Sequence, residues 1–236
     1  MVTIAQCQRL HSAWYAALAT ATGGRTFSTH GSSWAWLPAR GELMLLFPEE
    51  ISPAGIRPAL AEGVRLRART VGVWLNAAVK PTGLAELGFR PGQQSWWMQA
   101  LAATVAGHHD DGAALTTEVS EYSGPLAQEL RVVRSQPRQA WHAEARVDGD
   151  IVGASYSFYP SGVEGLKGLG GIYNLEVLPP HQRRGIGTAL LSRCAQAAMA
   201  SGAQHLALNA TPEGSALCLE RGFSLVGRGN TYWLEL

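Results

Sequence analysis

The residues of this sequence best suited to chemistry lie together at positions 178–190. Gly185 and Gly187 follow an apolar, strand-like run and precede a run with helical periodicity. Glycines at a helix start leave backbone N–H groups uncovered by side chains, and the positive end of the helix dipole lies at the same place. Arg183 and Arg184 add positive charge beside these groups. The pattern therefore predicts an anion site whose natural ligand is a diphosphate.

Two common nucleotide sites are excluded by the spacing. A dinucleotide fingerprint needs a third glycine and an acidic residue about 20 positions further on. Leu190 stands where the third glycine belongs, and the later position falls near Ala207. A phosphate-loop nucleotide site needs Gly-Lys-Ser/Thr, and no lysine lies near the glycines. The diphosphate must therefore belong to another class of ligand.

The spacing Gln182-x-x-Gly185-x-Gly187 resembles the acyl-coenzyme-A signature of the GNAT N-acetyltransferase family. The Asp-Gly-Asp sequence at residues 148–150 resembles the hairpin before the third strand of that family, and the Gly-Phe pair at residues 222–223 resembles its late helix-to-strand turn. The three features occur in the family's order. The resemblance implies a GNAT-like α/β fold with a mixed sheet, and acetyl-coenzyme A as the acyl donor.

The donor site implied by the resemblance combines the glycine loop with the ends of two strands. Its expected residues are Val177, Leu178, Gln182, Arg183, Arg184, Gly185, Ile186, Gly187, Thr188 and Asn209. The amide of Asn209 stands where similar enzymes separate two parallel strands to admit the pantetheine arm. A turn-forming role just before Thr211 is the alternative for this residue.

A base is useful in such a site because an amine must lose a proton before it attacks a thioester. Side chains alternate along a strand, so Asn174 and Glu176 share one face of the strand before the signature. Glu176 is the carboxylate on this strand and is the candidate base. Its alternative is a charge satisfied by a backbone group or an arginine. Asn174 is expected to orient substrate or water.

Similar enzymes carry a tyrosine four residues before the Gly-Phe turn, and it protonates the departing thiolate. This sequence has Cys218 there. A thiol, with an unperturbed pKa of about 8.5, can donate a proton, but a buried cysteine is more often inert. We expect Cys218 to be inert. Tyr173 and Tyr232 are possible substitutes, although packing on the sheet is the expected role of both.

Composition excludes several other classes of function. The net charge of +1 favours neither nucleic acid nor an anionic membrane as a partner. No stretch approaches the ~20 apolar residues of a membrane span. The three cysteines fit neither a disulfide framework nor a zinc site, which predicts a reducing cytoplasm and no metal. The sequence gives no indication of oligomeric state.

The sequence also contains an internal echo. Asn76-Ala77 leads through Pro81 to Gly88-Phe89, just as Asn209-Ala210 leads through Pro212 to Gly222-Phe223. We interpret this as a duplication, with a degenerate GNAT-like domain at residues 1–105, a linker at 106–113 and a catalytic domain at 114–236. Chance similarity between two strand–helix–strand units is the alternative. The first copy lacks the glycine signature and should bind no coenzyme.

Periodicity and turn signals predict the individual elements. Helices are expected at residues 4–20, 53–62, 125–134, 186–200 and 212–221. Strands are expected at residues 33–37, 42–47, 71–75, 114–120, 139–147, 151–159, 172–178, 205–210, 223–226 and 231–236.

The leading functional prediction is transfer of an acetyl group from acetyl-coenzyme A to the amine of a small molecule or peptide, by direct attack in a ternary complex. The alternative is a catalytically weak or inactive acyl-coenzyme-A-binding sensor. It is motivated by Cys218 and by the degenerate first half. Both predictions require donor binding, so only turnover separates them.

Overall fold

The structure is a computed structural model that describes residues 1–108, 114–116 and 129–236. The chain divides into two compact units. The N-terminal unit comprises Trp14–Trp96 and Gly227–Leu236, and the C-terminal unit comprises Met1–Ala13 and Trp97–Val226.

Helices and strands alternate along much of the chain. The helices are α1 (Ile4–Ala21), α2 (Pro53–Arg65), α3 (Ala102–Ala106), α4 (Glu129–Ser135), α5 (Ile186–Ala200) and α6 (Ser215–Glu220), with a short 3₁₀ turn at Pro179–His181. The strands are β1 (Arg25–Thr29), β2 (Ser32–Leu37), β3 (Glu42–Leu46), β4 (Thr70–Asn76), β5 (Arg90–Leu101), β6 (Ala114–Thr116), β7 (Ala140–Val147), β8 (Asp150–Phe158), β9 (Leu169–Val177), β10 (His205–Ala210) and β11 (Ser224–Glu235).

In the N-terminal unit, β1, β2, β3, β4 and β11 lie side by side in that order. Strands β3 and β4 are parallel and are joined by α2. Helix α2 begins where Ser52 accepts a hydrogen bond from the Gly55 N–H and Pro53 occupies the first turn. Apolar residues of the strands and of α2, among them Trp34 and Ile56, form the core of this unit.

In the C-terminal unit, β5, β10, β9, β8, β7 and β6 follow one another. Strands β9 and β10 are parallel and are joined by α5, which packs on β7, β8 and β9. The β7–β8 hairpin turns on Asp148 and Gly149, whose φ angles are 52° and 92°. Positive φ at both positions is the signature of the tight turn predicted from Asp-Gly. The mixed α/β sheet predicted from the sequence is confirmed.

The two units repeat one topology. Each contains a parallel strand–helix–strand crossover, β3–α2–β4 in one and β9–α5–β10 in the other. The strand beside each crossover pair comes from the other half of the sequence: β11 lies beside β4, and β5 lies beside β10. This repetition agrees with a duplicated chain. The domain boundaries at residues 105 and 114 stay predictions, since residues 109–113 of the linker lie outside the described residues.

Most predicted elements appear within a few residues of their expected bounds, and three differences are informative. The strands expected at residues 223–226 and 231–236 form the single strand β11, because pairing with β4 keeps the glycine-containing segment between them extended. Helix α6 starts later than expected, since the Thr211 hydroxyl accepts from the Gly214 N–H and holds a turn first. Strands β1 and β5 and the short helix α3 were not predicted. Residues 117–120 and 125–128 of two further predicted elements lie outside the described residues.

Gly153 on β8 allows β9 to approach closely, and this closeness can be tested by Gly153→Ala. A Cβ at this position would lie 2.9 Å from the Glu176 carbonyl oxygen and 3.1 Å from Leu190 Cδ1. Because backbone would have to move, we expect a loss of about 1–3 kcal/mol in the free energy of unfolding by chemical denaturation. Gly162→Ala is the control, since a Cβ there meets nothing within 4 Å. Equal stability of the two variants would contradict the tight approach.

Candidate functional site

A cleft of about 550 Å³ opens in the C-terminal unit between the glycine loop and α6. Its walls come from the end of β9, from the loop and first turn of α5, and from residues around α6. The lining residues are Leu175, Val177, His181, Gln182, Arg183, Gly185, Gly187, Thr188, Glu213, Gly214, Ala216, Leu217, Glu220 and Arg221. This volume lies within the range of small-molecule binding sites.

The loop between β9 and α5 is shaped by two left-handed residues and one side-chain bond. Arg183 and Gly185 have φ angles of 62° and 82°. The amide of Gln182 donates to the Val177 carbonyl at 2.9 Å and ties the loop to the end of β9. Gly185 is the N-cap of α5 and carries no capping side chain. The backbone therefore enters the helix without a capping side chain over the N–H groups of its first turn.

The N–H groups at the start of α5 are arranged to bind an anion. The hydrogen bond from the Ala189 N–H to the Gly185 carbonyl, at 3.0 Å, is the one that links the helix back to its N-cap. The N–H groups that precede Ala189 in the first turn have no partner one turn earlier, as at every α-helix start. With the helix dipole behind them, these groups could accept an anion, and the anion site predicted from the glycines stays a prediction.

Strands β9 and β10 separate as they approach the loop. Their pairing begins with Leu169 opposite His205 and ends with Ile172 opposite Leu208, although β9 continues to Val177. Asn209 lies just past the last pair. Its Oδ1 is buried and has no hydrogen-bond partner among the described residues. A buried acceptor in a gap between strands is suited to an N–H donor from a ligand.

A β-bulge interrupts β9 between the segment that pairs with β10 and the loop that leads to α5. Tyr173 pairs with Tyr156 and Glu176 pairs with Ala154, so two residues of β9 lie opposite Ser155. Asn174 takes a φ of 51° at the bulge, and its amide donates to the buried carboxylate of Glu129 at 3.0 Å. The bulge thus fixes a left-handed asparagine where the strand must change register.

The predicted site residues fall into two groups. Val177, Gln182, Arg183, Gly185, Gly187 and Thr188 line the cleft; Leu178, Arg184, Ile186, Asn209, Asn174, Glu176 and Cys218 do not. Asn174 and Glu176 are exposed, whereas Leu175 and Val177 are half-buried and face the cleft. Glu176, between them, therefore lies on the face of β9 away from the cleft, while the bulge at Asn174 breaks the alternation from which a shared face for Asn174 and Glu176 was predicted.

Glu176 shares its sheet face with a buried acidic residue that sequence reasoning missed. Ala154 pairs with both Glu176 and Glu144, and residues directly opposite one another share a face. Arg146 Nε donates to Glu144 Oε1 at 2.8 Å. Burial lowers the pKa of the neighbouring His142, and the negative charge of Glu144 opposes that shift. No sequence spacing links these residues, because three strands must align to bring them onto one face.

Cys218 lies on α6 and is buried, with 5% of its surface exposed. Burial raises the pKa of its thiol to about 11, so the thiol is protonated at neutral pH. Of the two alternative tyrosines, Tyr173 donates its hydroxyl to the Leu10 carbonyl at 3.3 Å, and Tyr232 packs against the core of the N-terminal unit. The surroundings of all three residues fit packing roles.

Arg221 is the cleft residue whose importance the sequence did not reveal. Its Nε donates to Thr188 Oγ1 at 3.0 Å, which brings the guanidinium to the first turn of α5. Glu213 and Glu220 line the same wall. In the sequence, Arg221 is marked only by its position directly before the Gly-Phe turn. That position does not show that its side chain reaches the loop, because the orientation of α6 decides which side chains face it.

The described part of the chain contains neither a candidate metal site nor a candidate membrane span. No group of three or more histidine, cysteine, aspartate or glutamate residues there could hold a metal ion. No helix in that part is long and apolar enough to cross a membrane.

Comparison with known proteins identifies one family. The model of the acetyltransferase (GNAT) family matches residues 108–223. A search of curated proteins found no match to the sequence.

Several solved structures share the fold. A GCN5-related N-acetyltransferase from Kribbella flavida has a TM-score of 0.63 and 15% identity, over 99% of this chain and 96% of that one. Another from Sphaerobacter thermophilus has a TM-score of 0.56 and 19% identity, over 87% and 76%. A tandem GNAT protein from the clavulanic acid biosynthesis pathway has a TM-score of 0.52 and 16% identity, over 86% and 78%.

The buried thiols lead to a prediction about chemical reactivity. Burial raises the pKa of Cys7 and Cys194 to about 12 and that of Cys218 to about 11. The thiolate is the reactive form, so at pH 8 only about one Cys218 thiol in a thousand is reactive even when reagent reaches it. We expect a chromogenic thiol reagent to modify all three cysteines in denaturant and none rapidly in the native protein. Fast modification of one native thiol, mapped to Cys218, would contradict its burial.

Proposed function

Since the chain belongs, through residues 108–223, to the acetyltransferase (GNAT) family, we propose that it transfers an acetyl group from acetyl-coenzyme A to the amine of a small molecule or peptide. The observation that carries the proposal is the gap between β9 and β10, which lies next to the uncapped start of α5. A long donor with an anionic middle and an amide-containing arm fits this pair of features. No metal takes part in the proposed reaction.

The donor binds with its diphosphate on the backbone of residues 183–188 and its arm between the strands. Gly185 and Gly187 keep side chains away from the diphosphate, and Arg183 and Arg184 contribute positive charge. Gln182 holds the loop to Val177 and so acts as a positioning residue. The unpartnered Oδ1 of Asn209 accepts a hydrogen bond from an amide N–H of the arm. Val177 and Leu178 lie beside the same arm at the end of β9, although the Leu178 N–H and carbonyl are already bonded to Val152 and His181.

The acceptor approaches from the face of β9 that carries Glu176, with Asn174 at the bulge beside it. Its nitrogen attacks the thioester carbonyl carbon, the C–S bond breaks, and the amine proton passes to Glu176 directly or through water. The thiolate takes a proton from solvent, since Cys218 is buried and its pKa of about 11 makes it a poor acid at neutral pH. Asn174 orients the amine or the water.

A small amine that is protonated in solution suits this face. Glu176 is exposed there, whereas the neighbouring Glu144 is buried and paired with Arg146. The exposed carboxylate of Glu176 attracts a cation. The three free cysteines agree with a reducing cytoplasm as the site of action.

The second candidate function is donor binding without useful turnover, and Cys218 at the usual tyrosine position is the observation that favours it. Purified protein should be incubated with acetyl-coenzyme A and a broad panel of amines while free thiol is measured. Thiol release above the hydrolysis rate, with an acetylated amine found by mass spectrometry, supports the transferase. Tight donor binding without any acetylated product from the panel supports the sensor.

Proton transfer can be assigned by comparing Glu176→Gln with Cys218→Ala. Removal of a general base lowers the rate by about 10²- to 10⁴-fold, so Glu176→Gln should lower kcat to that extent while leaving donor affinity unchanged. Cys218→Ala should change kcat little, because the thiol is buried and its pKa of about 11 makes it a poor acid at neutral pH. Steady-state kinetics on both variants, with folding checked by circular dichroism, makes the comparison. The reverse ranking would assign the chemistry to Cys218.

The N-terminal unit lacks both features of the donor site. Its strand β3 stays paired with β4 to its last residue, since Leu46 lies opposite Trp74 and the Phe47 N–H donates to the Trp74 carbonyl at 2.9 Å. The start of α2 is capped by Ser52 and contains Pro53, which has no N–H to donate. Glu49 and Glu50 precede it and repel an anion. We therefore propose that this unit binds no coenzyme.

The stoichiometry of donor binding tests whether the C-terminal unit alone binds coenzyme. Calorimetric titration with coenzyme A should give one site per chain, and a folded Gly187→Trp variant should give none, because its side chain fills the cleft. An additional site that persists in Gly187→Trp would place coenzyme in the N-terminal unit and contradict the proposal.

A further inference from the structure

The guanidinium of Arg221 lies at the start of α5, although Arg221 itself stands at the end of another helix, α6. It follows the last residue of α6, and its Nε donates to Thr188 Oγ1 at 3.0 Å. Thr188 is the third residue of α5 and is buried, with 6% of its surface exposed. The buried hydroxyl therefore fixes the position of a half-buried cation on the cleft wall.

The hydrogen bond to Thr188 uses one edge of the guanidinium and leaves the other available. The two Nη groups have no hydrogen-bond partner among the described residues. Glu213 and Glu220 line the same cleft, yet no ion pair joins either of them to Arg221 in the part of the chain that is described. The planar fork is thus positioned but not neutralised, which suits bidentate binding of a phosphate oxygen pair.

The other cations of the site are held less firmly. Arg183 and Arg184 are exposed on the loop, and Arg184 Nη1 lies 3.4 Å from the ring nitrogen Nδ1 of His181. Exposed charges are screened by water and salt, and the entropy cost of ordering long side chains offsets their attraction. Arg221 avoids much of that cost because Thr188 already orders it.

From this geometry we propose that Arg221 binds the donor diphosphate beside the N–H groups at the start of α5, and that Thr188 positions it. The inference rests on the proposed function and adds a specificity-determining residue to it. The diphosphate then contacts both backbone N–H groups and a fixed guanidinium. Thioesters that lack a diphosphate gain nothing from Arg221.

The test measures affinities of wild type and Arg221→Gln for three ligands: coenzyme A, 3′-dephospho-coenzyme A and pantetheine. Loss of a charged hydrogen bond should weaken binding of the first two by about 10- to 100-fold each. Binding of pantetheine, followed by ligand-observed NMR, should be unchanged because it has no phosphate. Arg138→Gln is the matched control, since Arg138 is an exposed arginine in the same unit and is not in the cleft.

Two further variants separate charge from geometry. Arg221→Lys keeps the charge but not the planar fork. Its affinity for coenzyme A should therefore lie between the affinities of wild type and Arg221→Gln. Thr188→Val should weaken coenzyme-A binding in the wild-type background and have little further effect with Arg221→Gln, since the two residues act as a unit. Additive losses would show that Thr188 does not act through Arg221.

The outcomes that overturn the inference are distinct. A loss with coenzyme A but not with 3′-dephospho-coenzyme A would assign Arg221 to the 3′-phosphate. Equal losses with all three ligands would show a general effect on the cleft. Failure of wild type to bind any of the three would instead overturn the proposed function, and this inference with it.

Discussion

The candidate site depends on the point at which β9 and β10 stop pairing. Parallel strands joined by a helix normally continue side by side and satisfy one another's backbone groups. Here the last pair is Ile172 with Leu208, and β9 then runs on to Val177 without β10. The unpaired backbone beyond this point is available to a ligand. The bulge at Asn174 lies within this segment, so the change in strand register and the opening of the sheet occur together.

The loop at the end of β9 depends on that separation in turn. Gln182 bonds the Val177 carbonyl, which would otherwise remain without a sheet partner on the open side, and this bond sets where the chain turns toward α5. Gly185 then takes a left-handed conformation that costs a side chain about 1 kcal/mol or more. The start of α5 is therefore exposed to the cleft, and the Thr188 hydroxyl on its first turn is close enough to hold Arg221. The bond from Gln182 to Val177 thus connects the strand end to the loop, and the bond from Arg221 to Thr188 connects the start of α5 to the guanidinium.

Local sequence signals were sufficient for much of this arrangement. The glycines of the loop, the Asp-Gly hairpin and the helical stripe of α5 each depend on residues within about a turn of one another, so their spacing predicts the structure. Arg221 and Glu144 could not be found in this way, because each reaches its neighbours through the packing of separate elements. The continuous strand β11 was missed for a related reason. Its glycine-containing middle favours a turn locally, and only the pairing with β4 keeps it extended.

The two units also share a topology and differ in local structure at the ends of their parallel strands. Both crossovers have a helix that follows a strand end, so both have a dipole that favours anions. In the N-terminal unit, Ser52 satisfies the helix start and Phe47 extends the pairing of β3 with β4. Each change supplies from within the chain the hydrogen bonds that a donor would otherwise make. The N-terminal crossover thus satisfies these groups within the chain, whereas in the C-terminal unit the start of α5 has no capping side chain and Asn209 Oδ1 has no partner among the described residues. Buried polar groups are usually hydrogen-bonded, so groups left in this state are suited to bond a ligand.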